Sequence, residues 1–181
     1  KSVIHEKFDR KIKFHHCKFE NFEPKKQFDL VLQSESACYI EIDKGFKKAR
    51  EVMNEDGYLL ASDYFIHFQD SSKSPHLKSS HNLEKYLSLA LENGFELIKE
   101  FDQTDNTIIT LDYAKFFIDR YINPTIDYGK YSAQKSFPIL SSLISRIVSK
   151  KWEEKKKQLD LIDSTLFRKY RKYMIYLLKK V

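Results

Sequence analysis

Glycine is scarce in this chain. Four glycines serve 181 residues, at positions 45, 57, 94 and 129. They stand far apart, and none precedes the first strand-like run. A glycine-rich loop whose backbone amides approach a ligand closely is therefore excluded. Cysteine is nearly absent too. Cys17 and Cys38 form neither a CxxC pair nor a zinc-ligand spacing. Each is expected as a small apolar residue beside a strand, in a reducing compartment, so the chain reads as cytoplasmic. No apolar run approaches the roughly 20 residues of a membrane-spanning helix. The first residues, KSVIHEKFDRK, lack the apolar core of a secretory signal. They also lack an initiator Met, which suggests a fragment or a processed product. His67 and His76, and the pair His15-His16, have no third ligand at fixed spacing, so no metal site is expected.

What is present suits a globular domain with a sizeable core: 41% hydrophobic and 32% charged residues. The net charge of +6 is uneven. Between Arg146 and Val181 lie KK at 150–151, KKK at 155–157, RKYRK at 168–172 and KK at 179–180. Only Glu153, Glu154, Asp160 and Asp163 oppose them. The favoured reading is a solvated helical surface; the other is attraction to nucleic acid or an anionic lipid surface.

Along the chain, Lys11 to Phe14 (KIKF) predicts a short strand and Phe28 to Gln33 (FDLVLQ) a buried one. Asp43 is the expected N-cap of a helix with Phe46, Ala49, Val52 and Met53 on one face. That helix ends at NEDG, with Gly57 expected in the left-handed conformation. Tyr58 to Tyr64 (YLLASDY) predicts the next buried strand, and DSSKSPHLKSSHN a lid or surface loop. Leu83 to Leu91 predicts a helix closed by Asn93-Gly94, and Phe95 to Phe101 a strand. Tyr113, Phe116, Phe117, Arg120 and Tyr121 share a helix surface that Pro124 is expected to terminate. Ile139, Leu140, Leu143, Ile144, Ile147 and Val148 predict an amphipathic helix after Pro138. YRKYMIYLLKK predicts a final strand. Alternating strands and helices imply an α/β sheet with parallel strands, whose ligands bind beyond the strands' carboxyl ends. QSES, at Gln33 to Ser36, and SDYF, at Ser62 to Phe65, then share one rim.

With those elements in order, "FDLVLQSESACYI" followed by "REVMNEDGYLLASD" (Arg50 to Asp63) resembles the later part of class I S-adenosylmethionine-dependent methyltransferases of the small-molecule type. "GFELIKEFDQT" resembles that family's next helix-to-strand junction, and the terminal "YRKYMIYLLKK" its reversed last strand. The resemblance implies a Rossmann-like α/β sheet, incomplete at its N-terminal half. It implies a helical cap inserted before a last antiparallel strand, and S-adenosylmethionine as cofactor. Residues 1–106 and 167–181 would form the sheet domain and 107–166 the cap. The family's glycine loop and ribose-binding acid have no counterpart here. The chain is therefore expected to begin partway through the domain, leaving FDLVLQ with an open edge that another chain covers. A homo-oligomer through that edge is one such arrangement.

The same resemblance places the candidate site. Glu35 and Tyr39 are the catalytic candidates, Phe19 and Ser34 the cofactor-side ones, and Asp63 and Tyr64 the acceptor-side ones. Lys18 stands where the family often has an adenine-binding acid; Glu20 is the nearest carboxylate. Each candidate has a plainer reading. Glu35 and Asp63 read equally as caps of the turns that follow their strands, Ser34 and Ser36 as closing backbone bonds, and Tyr39 as a packed aromatic. A tyrosine with a pKa near ~10 is a poor base without strong activation. The aromatic stretch from Phe116 to Trp152 reads either as core or as a roof over an apolar acceptor. Methyl transfer from a sulfonium needs chiefly positioning, so no metal is implied.

These readings converge on the C-terminal portion of an enzyme that methylates a small metabolite, an apolar one fitting the cap. Alone, the chain is expected to bind the cofactor weakly or not at all. Two other classes stay open: a non-catalytic methyltransferase-like interaction module, and a nucleic-acid binder using the basic C-terminal third.

Overall fold

The computed structural model describes residues 12–67, 81–139, 141 and 162–181. Its frame is a four-stranded sheet. Strand β1 spans Phe28–Ser34, β2 Met53–Ile66, β3 Phe95–Asp102 and β4 Arg171–Lys180, in the order β1-β2-β4-β3. β1 runs parallel to β2, while β4 runs antiparallel to both β2 and β3. The final strand is therefore inserted in reverse between two strands that point the same way, as the sequence led us to expect.

Helices α1 (Ile42–Val52) and α2 (Leu83–Glu92) cover one face of this sheet. In α1, Phe46, Ala49 and Val52 recur at three-residue steps and are buried. They meet Leu59, Ala61 and Phe65 of β2 and Met174, Tyr176 and Leu178 of β4 in one cluster. Phe65 and Tyr86 pack with ring centroids 4.9 Å apart, and Phe65 and Tyr176 at 5.3 Å. Each such side chain contributes roughly 1.5–3 kcal/mol by leaving water. Asn82 caps α2 by accepting from the Lys85 amide at 2.9 Å. Gly94 ends it at φ 74°, as the Asn-Gly pair predicted. Arg50 Nη1 donates to the carbonyls of Gly94 (2.9 Å) and Val181 (2.7 Å), tying α1, α2 and the end of β4 together.

The helix caps differ in detail from the sequence reading. Glu41 occupies the N-cap of α1; Asp43 lies in its first turn and accepts from Lys47 Nζ at 2.6 Å. The NEDG stretch does not end the helix but lies inside β2, where the register against β1 shifts, and its left-handed residue is Asp56 (φ 60°), not Gly57. The exposed Asp56 carboxylate pairs with Lys179 at 2.8 Å. Ile12 to Phe14 form no strand. Cys38 is buried as expected, but Cys17 is exposed. β1 is a strand but not a buried one, because it lies at the sheet edge. Only Gln33 within it is buried, while Leu30 and Leu32 are 52% and 60% exposed.

The chain then turns helical. Helix α3 (Thr104–Phe117) runs through a π-turn at Ile118–Ile122 into α4 (Asn123–Ser136). Pro124 does not terminate this path. It sits at the start of α4, directly after the π-turn, and the helical path runs on through it. A short helix, α5 (Ser164–Tyr170), leads into β4. Among the described residues no helix is long and apolar enough to cross a membrane. The polar stretch at 68–80 with His76, most of the helix expected from Ile139 to Val148, Trp152 and the lysine runs at 150–151 and 155–157 lie outside the described residues.

Candidate functional site

Both sequence-predicted polar clusters reach the carboxyl rim of β1 and β2, where Ser34 stands opposite Ser62. The chain leaves β1 through Glu35, whose φ of 47° lies in the left-handed region. A residue with a Cβ adopts this conformation at a cost of about 1–2 kcal/mol. The structure holds it because the Glu35 amide donates to the Ser62 carbonyl at 2.8 Å, extending the ladder by one residue. Strain of this kind collects at functional sites.

The Glu35 carboxylate then meets β4. Tyr173 Oη donates to Glu35 Oε1 at 3.1 Å, and Ser62 Oγ donates to Tyr173 Oη at 3.2 Å. Three strands thus contribute one continuous chain of polar groups. Tyr173 is fixed from behind as well: its amide donates to Thr104 Oγ1 at 3.0 Å, and its carbonyl accepts from the Gln103 amide at 2.8 Å. Burial pushes the Tyr173 phenol up; the Ser62 bond works against that, and the Glu35 carboxylate adds to it. The phenol therefore keeps its proton and acts as a donor, leaving Glu35 as the acceptor of the array.

The next β2 residue faces the other way, since successive side chains alternate across a sheet. Asp63 is fully buried; its Oδ2 accepts from the Cys38 amide at 2.9 Å and its Oδ1 from the Tyr64 amide at 2.8 Å. The turn Ala37–Tyr39 is therefore capped by a carboxylate from the neighbouring strand. His81 Nε2 lies 2.8 Å from both the Ala37 and the Ile40 carbonyls, holding the same turn from its other side. Burial, then the Asp63 charge, pushes the Cys38 thiol up, so it is no nucleophile near neutrality.

Of the predicted residues, Ser34, Glu35 and Tyr64 come together on the open face of the rim, beside Ser62 and Tyr173. Asp63 stands on the opposite face, engaged by backbone amides. Tyr39 sits on the clamped turn with its ring 75% exposed, so it is not a packed aromatic. Phe19, in a 3-10 turn at Phe19–Asn21, packs against the edge of the core. Glu20 Oε1 accepts from the Glu41 amide at 3.4 Å. Tyr173, His81 and Arg171 went unnoticed in the sequence. Arg171 stacks over Tyr64 with its guanidinium carbon 5.0 Å from the ring centroid. Among the described residues no group of acidic, His or Cys side chains could hold a metal ion.

No family model matches the sequence, and no curated protein matches it either. Solved structures do match in shape. An O-methyltransferase from a trans-AT polyketide multienzyme of Brevibacillus brevis, solved with S-adenosyl-L-homocysteine, superposes at TM-score 0.60 with 13% identity, over 99% of this chain and 52% of that one. Geranyl diphosphate C-methyltransferase from Streptomyces coelicolor does so at 0.63 with 12% identity, over 99% and 57%. Phosphoethanolamine N-methyltransferase 2 from Haemonchus contortus, solved with S-adenosyl-L-methionine, gives 0.53 with 18% identity, over 91% and 36%. The fold is thus the Rossmann-like α/β fold of class I methyltransferases, and the chain spans about a third to a little over half of these relatives' lengths.

Proposed function

We propose that this chain forms the acceptor side of an S-adenosylmethionine-dependent methyltransferase acting on a small molecule. The observation that carries this reading is the Ser62–Tyr173–Glu35 array, built on the carboxyl rim of a sheet with that fold. Glu35 presents a carboxylate oxygen that orients, and takes a proton from, an acceptor hydroxyl or amine. Tyr173 and Ser62 hold that carboxylate in place. Asp63 and His81 act through the backbone, keeping the turn that carries Tyr39 beside it. Tyr64 and Ser34 line the same rim. Tyr113, Phe116 and Tyr121, all more than half exposed, give α3 and the π-turn an aromatic surface that suits an apolar acceptor.

The described residues do not themselves fit the cofactor. A Cβ at Gly45 would meet Ile40, one at Gly57 the Asn54 carbonyl, and one at Gly94 the Arg50 guanidinium; Gly129 faces open space. None of the four keeps backbone clear for a ligand on the rim. The donor's cradle therefore belongs to polypeptide outside these 181 residues, a placement that the open edge of β1 accommodates. Phe19 is the residue of this chain nearest in role to a cofactor contact, as a flank for the adenine ring.

Calorimetric titration of S-adenosylmethionine into the chain tests the placement. No saturable heat is expected, while a polypeptide that also carries a glycine-rich loop should bind and turn over. Saturable micromolar binding by the 181-residue chain alone would overturn it. A second reading, a non-catalytic interaction module, draws on the exposure of Leu30 and Leu32 along β1. The two part on Glu35→Gln in the cofactor-binding polypeptide: the enzyme reading requires turnover to fall on the order of a hundredfold with cofactor affinity kept.

A further inference from the structure

Next to the array lies an open depression of about 410 Å³, lined by His67, Asp102, Thr104, Asp105, Arg168, Arg171 and Lys172. Five elements build it: the end of β2, the end of β3, the start of α3, the end of α5 and the start of β4. Its charges do not cancel. Arg168 pairs with Asp105 at 2.6 Å and Lys172 with Asp102 at 3.1 Å. Arg171 has no carboxylate partner among the described residues; its neighbour is the face of Tyr64. Stacking orients the guanidinium plane without satisfying its N–H donors. An unpaired guanidinium drawn partly out of water is costly, and an oxyanion is the ligand that relieves it. The two paired cations can turn toward the same ligand cheaply. Arg168 and Asp105 are 54% and 79% exposed, and Lys172 and Asp102 44% and 42%. Exposed pairs of this kind are worth little. Thr104 Oγ1 accepts from the Tyr173 amide and gives its own O–H to the Asp102 carboxylate, so it braces the wall of the depression rather than adding a free donor. His67 Nε2 donates to the Arg168 carbonyl at 3.0 Å, so the neutral ring braces α5 and its Nδ1 is an acceptor, not a donor to the anion.

We propose that this depression binds a phosphate-like oxyanion, with Arg171 as its anchor, and that the acceptor of the reaction carries such a group. The second clause rests on the methyltransferase reading; the first does not. Arg171 and Tyr173 are two positions apart on β4 and share a face, so they lie about 6–7 Å from each other along the strand. An acceptor held by its anionic end at Arg171 would thereby present a group a few bonds away to Glu35.

Inorganic pyrophosphate and phosphate are titrated into the 181-residue chain, followed by calorimetry and by the arginine side-chain NMR signals. Saturable binding that shifts the Arg171 signal is expected. Arg171→Met should weaken it on the order of ten- to a hundredfold, and Arg171→Lys less, with the amide spectrum reporting that both variants stay folded. No saturable binding, or binding that Arg171→Met leaves unchanged, overturns the proposal. No methyl donor enters this experiment, so its failure leaves the methyltransferase reading standing. Anion binding that survives alongside a Glu35 variant of full activity sinks that reading instead.

Discussion

The Tyr173 phenol donates to the Glu35 carboxylate at 3.1 Å, joining residues 138 positions apart in the chain. The bond exists because β4 is inserted beside β2 in reverse, which lays Tyr173 opposite Tyr64 and one step from Ser62. It also explains how a carboxylate on a strained residue keeps a defined position at an exposed rim.

The strain at Glu35 is separable from its chemistry. Glu35→Ala keeps the left-handed φ of 47° and loses the bond to Tyr173. Glu35→Gly loses the same bond but removes the Cβ penalty, with the unfolded-state freedom of glycine offsetting part of the gain. The glycine variant should therefore be more stable than the alanine variant, by up to about 1 kcal/mol. Urea unfolding of the pair decides it: an alanine variant that equals or exceeds the glycine variant contradicts the strained backbone.

Asp63 should behave as a structural carboxylate. Asp63→Ala strands the Cys38 and Tyr64 amides in a buried setting and should cost about 2–4 kcal/mol. Amide exchange should quicken at Cys38 and along Ala37–Tyr39 before it does so in β4. Unchanged protection at Cys38 would show that the cap does not hold the turn.

Alkaline pH should destabilise the fold. Burial pushes the Tyr86, Tyr176 and Tyr173 phenols above their ordinary 10.0 and the Cys38 thiol above 9.0. Folded-state values raised in this way give stability that is complete below the unfolded values and declines as pH rises through about 9 to 10 and beyond. Tyr86 and Tyr176 carry buried hydroxyls with no hydrogen-bond partner among the described residues. Tyr86→Phe and Tyr176→Phe should thus be neutral or stabilising by up to about 1 kcal/mol at pH 7, and should flatten the alkaline decline. Stability measured from pH 7 to 11 checks both; a steeper decline in the phenylalanine variants would refute the assignment.

The open edge of β1 should make the chain associate. Leu30 and Leu32 are exposed beside a strand with no outer neighbour among the described residues. Light scattering of the chain should report a mass that grows with concentration. Leu30→Lys with Leu32→Lys should hold it near 21.6 kDa. A monomer at all concentrations before mutation would remove this surface as a self-contact.

Most of the sheet was legible in local pattern. Branched and aromatic runs marked β1, β2, β3 and β4, and Asn93-Gly94 marked the end of α2. Two local readings were displaced by the path of the chain. NEDG continues as β2 across a register shift against β1, with Asp56 left-handed, and the helical path that reaches Pro124 runs on through it.

The sequence by itself determined that an α/β sheet would form, that Glu35 and Ser62 would share a rim, and that no glycine cradle could be built from four scattered glycines. Those are matters of periodicity and residue type, which act within a few positions. Only the tertiary structure decided that Tyr173 meets Glu35, that Asp63 caps a neighbouring turn, and that Arg171, without a carboxylate partner among the described residues, shares a face with Tyr173. Strand order and register bring Tyr173 and Arg171 to this rim, and neither is written in any local stretch of the chain.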